Sequence, residues 1–71
     1  MNLKQAIEGK EYAILDIQTN DEEFNAFLFS LGCYAGEKIT VVSQQRKGCM
    51  VAIKDSRYHI DQQLAQAILI G

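Results

Sequence analysis

Few side chains in this sequence are equipped for chemistry, and their spacing decides how much they can do. Cys33, Cys49 and His59 are the only residues of their types that could hold a soft metal or form a nucleophile–base pair. They stand 16 and 10 positions apart, with no C-x-x-C pair, so nothing in the chain pre-assembles a metal site or a thiolate–imidazole couple. No nucleophile elbow, glycine-rich phosphate loop or paired-carboxylate cleft is present. The run Asp21-Glu22-Glu23 could face a cation, but it sits where a helix begins, and acidic residues there favour the positive end of the helix dipole. Binding is therefore the better-supported chemistry, and the chain is expected not to be an enzyme and to need neither cofactor nor metal. Four residues could carry contact with a partner. Arg46 and Lys47 form a cationic pair in a polar loop, which is also the ordinary composition of a solvated turn. Tyr34, between Gly32 and Gly36, offers an aromatic body with a polar tip, a combination suited to an interface. Phe29 lies off the apolar stripe of its helix and is expected to tuck under a neighbouring loop, or else to stand exposed for docking.

The element that positions the aromatics is the only stretch with helical spacing. Phe24, Phe27, Leu28 and Leu31 recur at i, i+3, i+4 and i+7, which places them on one side of a helix. Leu28 and Leu31 are expected to be fully buried. Thr19 or Asn20 is the expected N-cap, with Glu22 or Glu23 completing a capping box, and Gly32 allows a left-handed ending. Such a helix cannot bury four large apolar residues alone and must cap a sheet.

The flanking segments read as strands. In Glu11–Gln18, Tyr12, Ile14 and Asp16 share one face and Ala13, Leu15 and Ile17 the other; the second face is the more uniformly apolar and is expected to be the core side. Glu37–Ser43 and Met50–Lys54 are rich in β-branched residues and are expected to form a hairpin across Gln44–Gly48. A turn at 54–57 leads to Tyr58-His59-Ile60, a short turn or single helical turn follows over 61–64, and 65–70 is expected to be the last strand. Leu3, Ala6 and Ile7 suggest one helical turn or a strand-like lead-in before Gly9. The expected fold is mainly β: a small barrel of four or five strands with one short helix between the first and second.

The 71 residues are enough for one domain, 1–71, near the lower limit for a core without staples. Seven basic against nine acidic residues give a net charge of −2, which does not suit a general nucleic-acid binder. No apolar run is long enough to span a bilayer, and the start lacks a signal-peptide hydrophobic region. A cytosolic monomer with two free thiols is the expectation.

In order and spacing the residues resemble the FeoA family, the small cytosolic proteins of bacterial ferrous-iron uptake. The pattern runs from Gly9 through 13–17 to L-x-x-L-G-x-x-x-G at 28–36, then Ile39-Thr40-Val41, Val51-Ala52-Ile53 and the apolar end at 65–70. The resemblance covers essentially the whole chain. It implies an SH3-like barrel and a non-enzymatic accessory module whose partner is the cytosolic, GTPase-bearing part of the membrane iron transporter. Tyr34, Phe29, Arg46 and Lys47 are the docking candidates that go with it. Two departures stand out: Ala35 where many members have proline, and polar 44–47 where many have a proline-containing hydrophobic loop. The same module occurs in metal-dependent repressors, so a nucleic-acid- or regulator-associated SH3-like domain is the alternative.

Overall fold

The first strand, β1 (Glu11–Ile17), is bent by a bulge, and that bend determines which of its residues reach the interior. In the computed structural model, which describes residues 1–71, β1 pairs with the last strand, β5 (Ile68–Ile70), with Ile14 opposite Ile70 and Asp16 opposite Leu69. Leu15 is the unpaired extra residue. Before the bulge Tyr12 and Ile14 point inward and are buried; after it the inward parity changes and Ile17 packs on the core. The expectation that Ala13, Leu15 and Ile17 form the core face is thereby overturned, and Leu15 is exposed. A two-residue period cannot survive an inserted residue.

The helix α1 (Glu22–Ser30) starts at Asp21, not at Thr19 or Asn20. The Asp21 carboxylate accepts from the amides of Glu23 at 2.9 Å and Phe24 at 3.4 Å, so it satisfies two otherwise orphaned donors. Thr19 holds the preceding turn instead, its hydroxyl accepting from the Asp21 amide. At the other end Gly32 takes φ +84°. Only Leu28 of the expected stripe is fully buried. Phe24 packs against the core, Leu31 is half-buried and Phe27 is exposed, so the helix rests on the sheet along a narrower line than its four apolar residues suggested.

Strands β2 (Lys38–Gln45), β3 (Gly48–Ile53) and β4 (Ser56–Asp61) follow as successive hairpins. The first of these is tighter than expected: Gln44 and Gln45 join β2, leaving only Arg46-Lys47 as the turn. A second helix, α2 (Gln62–Ala67), occupies part of the segment expected to be a final strand. The Asp61 carboxylate caps it by accepting from the Leu64 amide at 2.9 Å. A 3-10 turn at Leu3–Gln5 supplies the lead-in and buries Leu3.

All pairings are antiparallel, in the order β4-β3-β2-β1-β5. The mainly-β class and the helix between the first two strands are as expected. The ladder does not close into a full barrel, because β4 and β5 do not pair; α2 takes the chain across from one to the other. One apolar core, drawn from all five strands, both helices and the lead-in, includes both cysteines, Cys33 and Cys49.

Candidate functional site: an aromatic cleft beside the helix end

The last turn of α1 and the loop after it form one wall of a cleft of about 340 Å³, and the β3–β4 turn forms the other. Phe29, Leu31 and Tyr34 face Ile53, Lys54 and Tyr58 across it. Gly32 makes the first wall possible. Its left-handed backbone reverses the chain immediately after the helix, and a Cβ there would meet the Ile53 side chain at 3.4 Å and Lys54 at 3.8 Å.

Phe29 is 65% exposed and is not covered by a loop, contrary to expectation. No segment passes over it, and its only aromatic neighbour is Tyr34, with ring centroids 5.0 Å apart and planes tilted by 31°. Tyr34 is half-buried, with the Lys54 ammonium 5.9 Å from its ring centroid. A cation over an aromatic face is attracted by the ring quadrupole, and here it also places the charge at the rim of the cleft. Phe27, 47% exposed, lies nearly opposite Phe29 around the helix and takes no part in the cleft.

The structure thus brings two of the four docking candidates together and leaves the other two elsewhere. Arg46 and Lys47 turn the chain at the start of β3, whereas the cleft lies at its end, about 16 Å away for a strand of this length. The cation that accompanies the aromatics is Lys54. Sequence reading missed it, and missed Tyr58, because their approach to the helix is a long-range consequence of the sheet register, for which no local pattern exists. Lys54 carries one local mark of its role, a positive φ of 55° in a tight two-residue turn.

Neither cysteine belongs to the cleft. Both thiols are free and buried. Burial pushes the Cys33 thiol up to about 11. Burial also raises Cys49, with the nearby Lys4 charge opposing the shift. Buried, protonated thiols are poor nucleophiles and poor metal ligands. His59 is exposed on β4, opposite Met50, and no three His, Cys, Asp or Glu side chains gather as a metal site.

The family model of the FeoA domain matches residues 1–71, the full length of the sequence. The chain belongs to the FeoA domain family. Its fold is SH3-like, as in the solved structures that it matches. An iron uptake regulatory protein, FeoA, superposes with a TM-score of 0.88 at 20% identity, covering 99% of this chain and 93% of that one. The FeoA of Stenotrophomonas maltophilia, solved with zinc and described as an SH3 domain protein, gives 0.86 at 16% identity, covering 100% and 89%. A manganese-dependent transcriptional repressor gives 0.89 at 19% identity, but the match spans only 40% of that longer chain. At these identities the likeness is one of fold. No curated protein matches the chain at significance. Within the FeoA domain the L-x-x-L-G-x-x-x-G segment has a definite structural task here. Leu28 anchors it in the core, Gly32 turns it, and Phe29, Leu31 and Tyr34 line the cleft.

Proposed function

We propose that this FeoA domain is a non-enzymatic accessory module of ferrous-iron uptake. It docks on the cytosolic, GTPase-bearing part of the membrane iron transporter and biases its assembly or nucleotide turnover. The observation that carries this reading is the exposure of Phe29 beside Tyr34 at the mouth of the cleft. Large aromatics that remain in water next to a concavity cost solvation free energy in the isolated domain and are the residue types that dominate protein interfaces. Membership of the FeoA family supplies the transport context. The partner contributes an apolar side chain to the cleft, and Lys54 at the rim favours an acidic neighbour to it. Arg46 and Lys47, at the far end of β3, act at most by long-range steering.

No helix of the chain is long and apolar enough to cross a membrane. The reading is tested by titrating the transporter's isolated GTPase-bearing region with wild-type domain and with Phe29→Ala and Tyr34→Ala. Saturable binding that each substitution weakens about tenfold supports it. Equal binding by all three proteins removes the cleft from the mechanism, and no binding by the wild type removes the partner.

A further inference from the structure

The sheet has two edges, and they are treated differently. At the β5 edge the N-terminus lies alongside: the Ile70 amide donates to the Met1 carbonyl at 2.8 Å, and Asn2 bridges to Leu69. At the other edge β4 has only β3 as a neighbour. The two-residue turn Lys54-Asp55 closes on the pair Ile53 and Ser56, which in such a hairpin exchanges both backbone hydrogen bonds. Alternation along the ladder then points the N–H and C=O groups of Arg57, His59 and Asp61 away from β3. The Gln62 amide, donating to the Lys47 carbonyl at 2.9 Å, keeps the same alternation at its even-numbered position. No loop or cap bonds to the backbone of Arg57 or His59.

A six-residue edge with free backbone groups is a template for another strand, and charged edge side chains ordinarily oppose such pairing. Here the charges have opposite signs, and matching them favours one of the possible two-fold arrangements. Only outward-facing residues can form hydrogen-bonded pairs with one another, so in a two-fold ladder Arg57, His59 and Asp61 must pair among themselves. Centring the axis on Arg57 sets arginine against arginine, and centring it on Asp61 sets aspartate against aspartate. Centring it on His59 sets Arg57 of each copy opposite Asp61 of the other, on the exposed face, and Tyr58 opposite Ile60 on the core-facing side. Axes at Tyr58 or Ile60 keep the same hydrogen-bonding parity. The first sets Arg57 against His59 and Asp61 against Asp55, and the second leaves Arg57 beyond the partner's strand, so neither pairs both formal charges with their opposites. We infer that β4 is a self-association edge: two copies of this chain join antiparallel across a two-fold axis at His59, held by two reciprocal Arg57–Asp61 contacts.

One short strand pair makes a small interface, so association is weak and the dilute chain is expected to be monomeric. Sedimentation equilibrium on the full chain up to about 1 mM is expected to show a monomer–dimer equilibrium. Amide exchange at Arg57 and His59 is expected to slow as concentration rises. Arg57→Glu puts two carboxylates opposite each other at both contacts and should raise the dissociation constant about tenfold. Mixing Arg57→Glu with Asp61→Lys restores opposite charges at both contacts, so the heterodimer should recover wild-type strength. Asp61 also caps α2, so folding of Asp61→Lys is checked by circular dichroism; where it fails, Arg57→Glu against wild type decides. A wild type that stays monomeric at the highest concentration overturns the inference. So does an Arg57→Glu variant that associates as the wild type does, or concentration-dependent protection confined to other strands.

Discussion

The amide of Cys33 donates to the carbonyl of Leu28 at 2.9 Å, closing the end of α1 across the residue that turns it. The Gly32 amide donates to Phe29 at 3.0 Å inside that loop, so two of the helix's last carbonyls are satisfied while Leu28 and Cys33 are buried together. The arrangement requires the left-handed backbone at Gly32. Gly32→Ala is therefore expected to destabilise the domain by about 1–2 kcal/mol, from the left-handed backbone and not from crowding, since the added Cβ would meet Ile53 at an ordinary contact distance. Chemical unfolding at constant slope measures it.

Leu28 and Leu31 should differ. Leu28→Ala removes a fully buried side chain and should cost about 2–5 kcal/mol, a large share of the stability of a domain this small. Leu31 is half-buried at the cleft, so Leu31→Ala should cost distinctly less and alter binding instead. Equal losses in unfolding experiments would show that the helix rests on the sheet along a wider line than Leu28 and Phe24.

The buried thiols make stability fall at alkaline pH. A Cys33 held up at about 11 in the fold, against an ordinary value of 9.0, binds its proton more tightly folded than unfolded. Its contribution is complete below pH 9 and is lost as pH rises toward 11, by about 2–3 kcal/mol at most. Cys49 shifts in the same direction and adds to the decline. Denaturant midpoints measured across that range should show it, and Cys33→Ala should flatten the curve.

Because Phe29 is mostly in water and off the core, Phe29→Ala should leave the unfolding midpoint within about 0.5 kcal/mol of wild type. A larger loss would mean that the ring is a packing element and not an exposed anchor.

The sequence disclosed those features of the fold that local patterns can encode. The helix, the three hairpin strands and the acidic helix start follow from apolar spacing, β-branched runs and capping chemistry. The face of β1 was hidden because both of its faces are apolar and the bulge at Leu15, a product of pairing with β5, changes the parity partway along. Asp21 does not stand out as the cap because Thr19 and Asn20 offer the same chemistry two positions and one position earlier. Of the cleft, the aromatic pair could be found from Phe29's position off the stripe and Tyr34's place between glycines. Lys54 and Tyr58 could not, since only the tertiary fold brings the β3–β4 turn against the helix end.

The central claim, that this FeoA domain meets its partner through the aromatic cleft, is tested most directly by amide chemical shifts. Isotope-labelled full chain would be titrated with the unlabelled GTPase-bearing region of the transporter. Shifts are expected to concentrate at Phe29, Gly32, Tyr34, Lys54 and Tyr58, and to be absent in Phe29→Ala at the same ratio. Shifts confined to the Arg46–Lys47 turn, or none at about 1 mM, would contradict it.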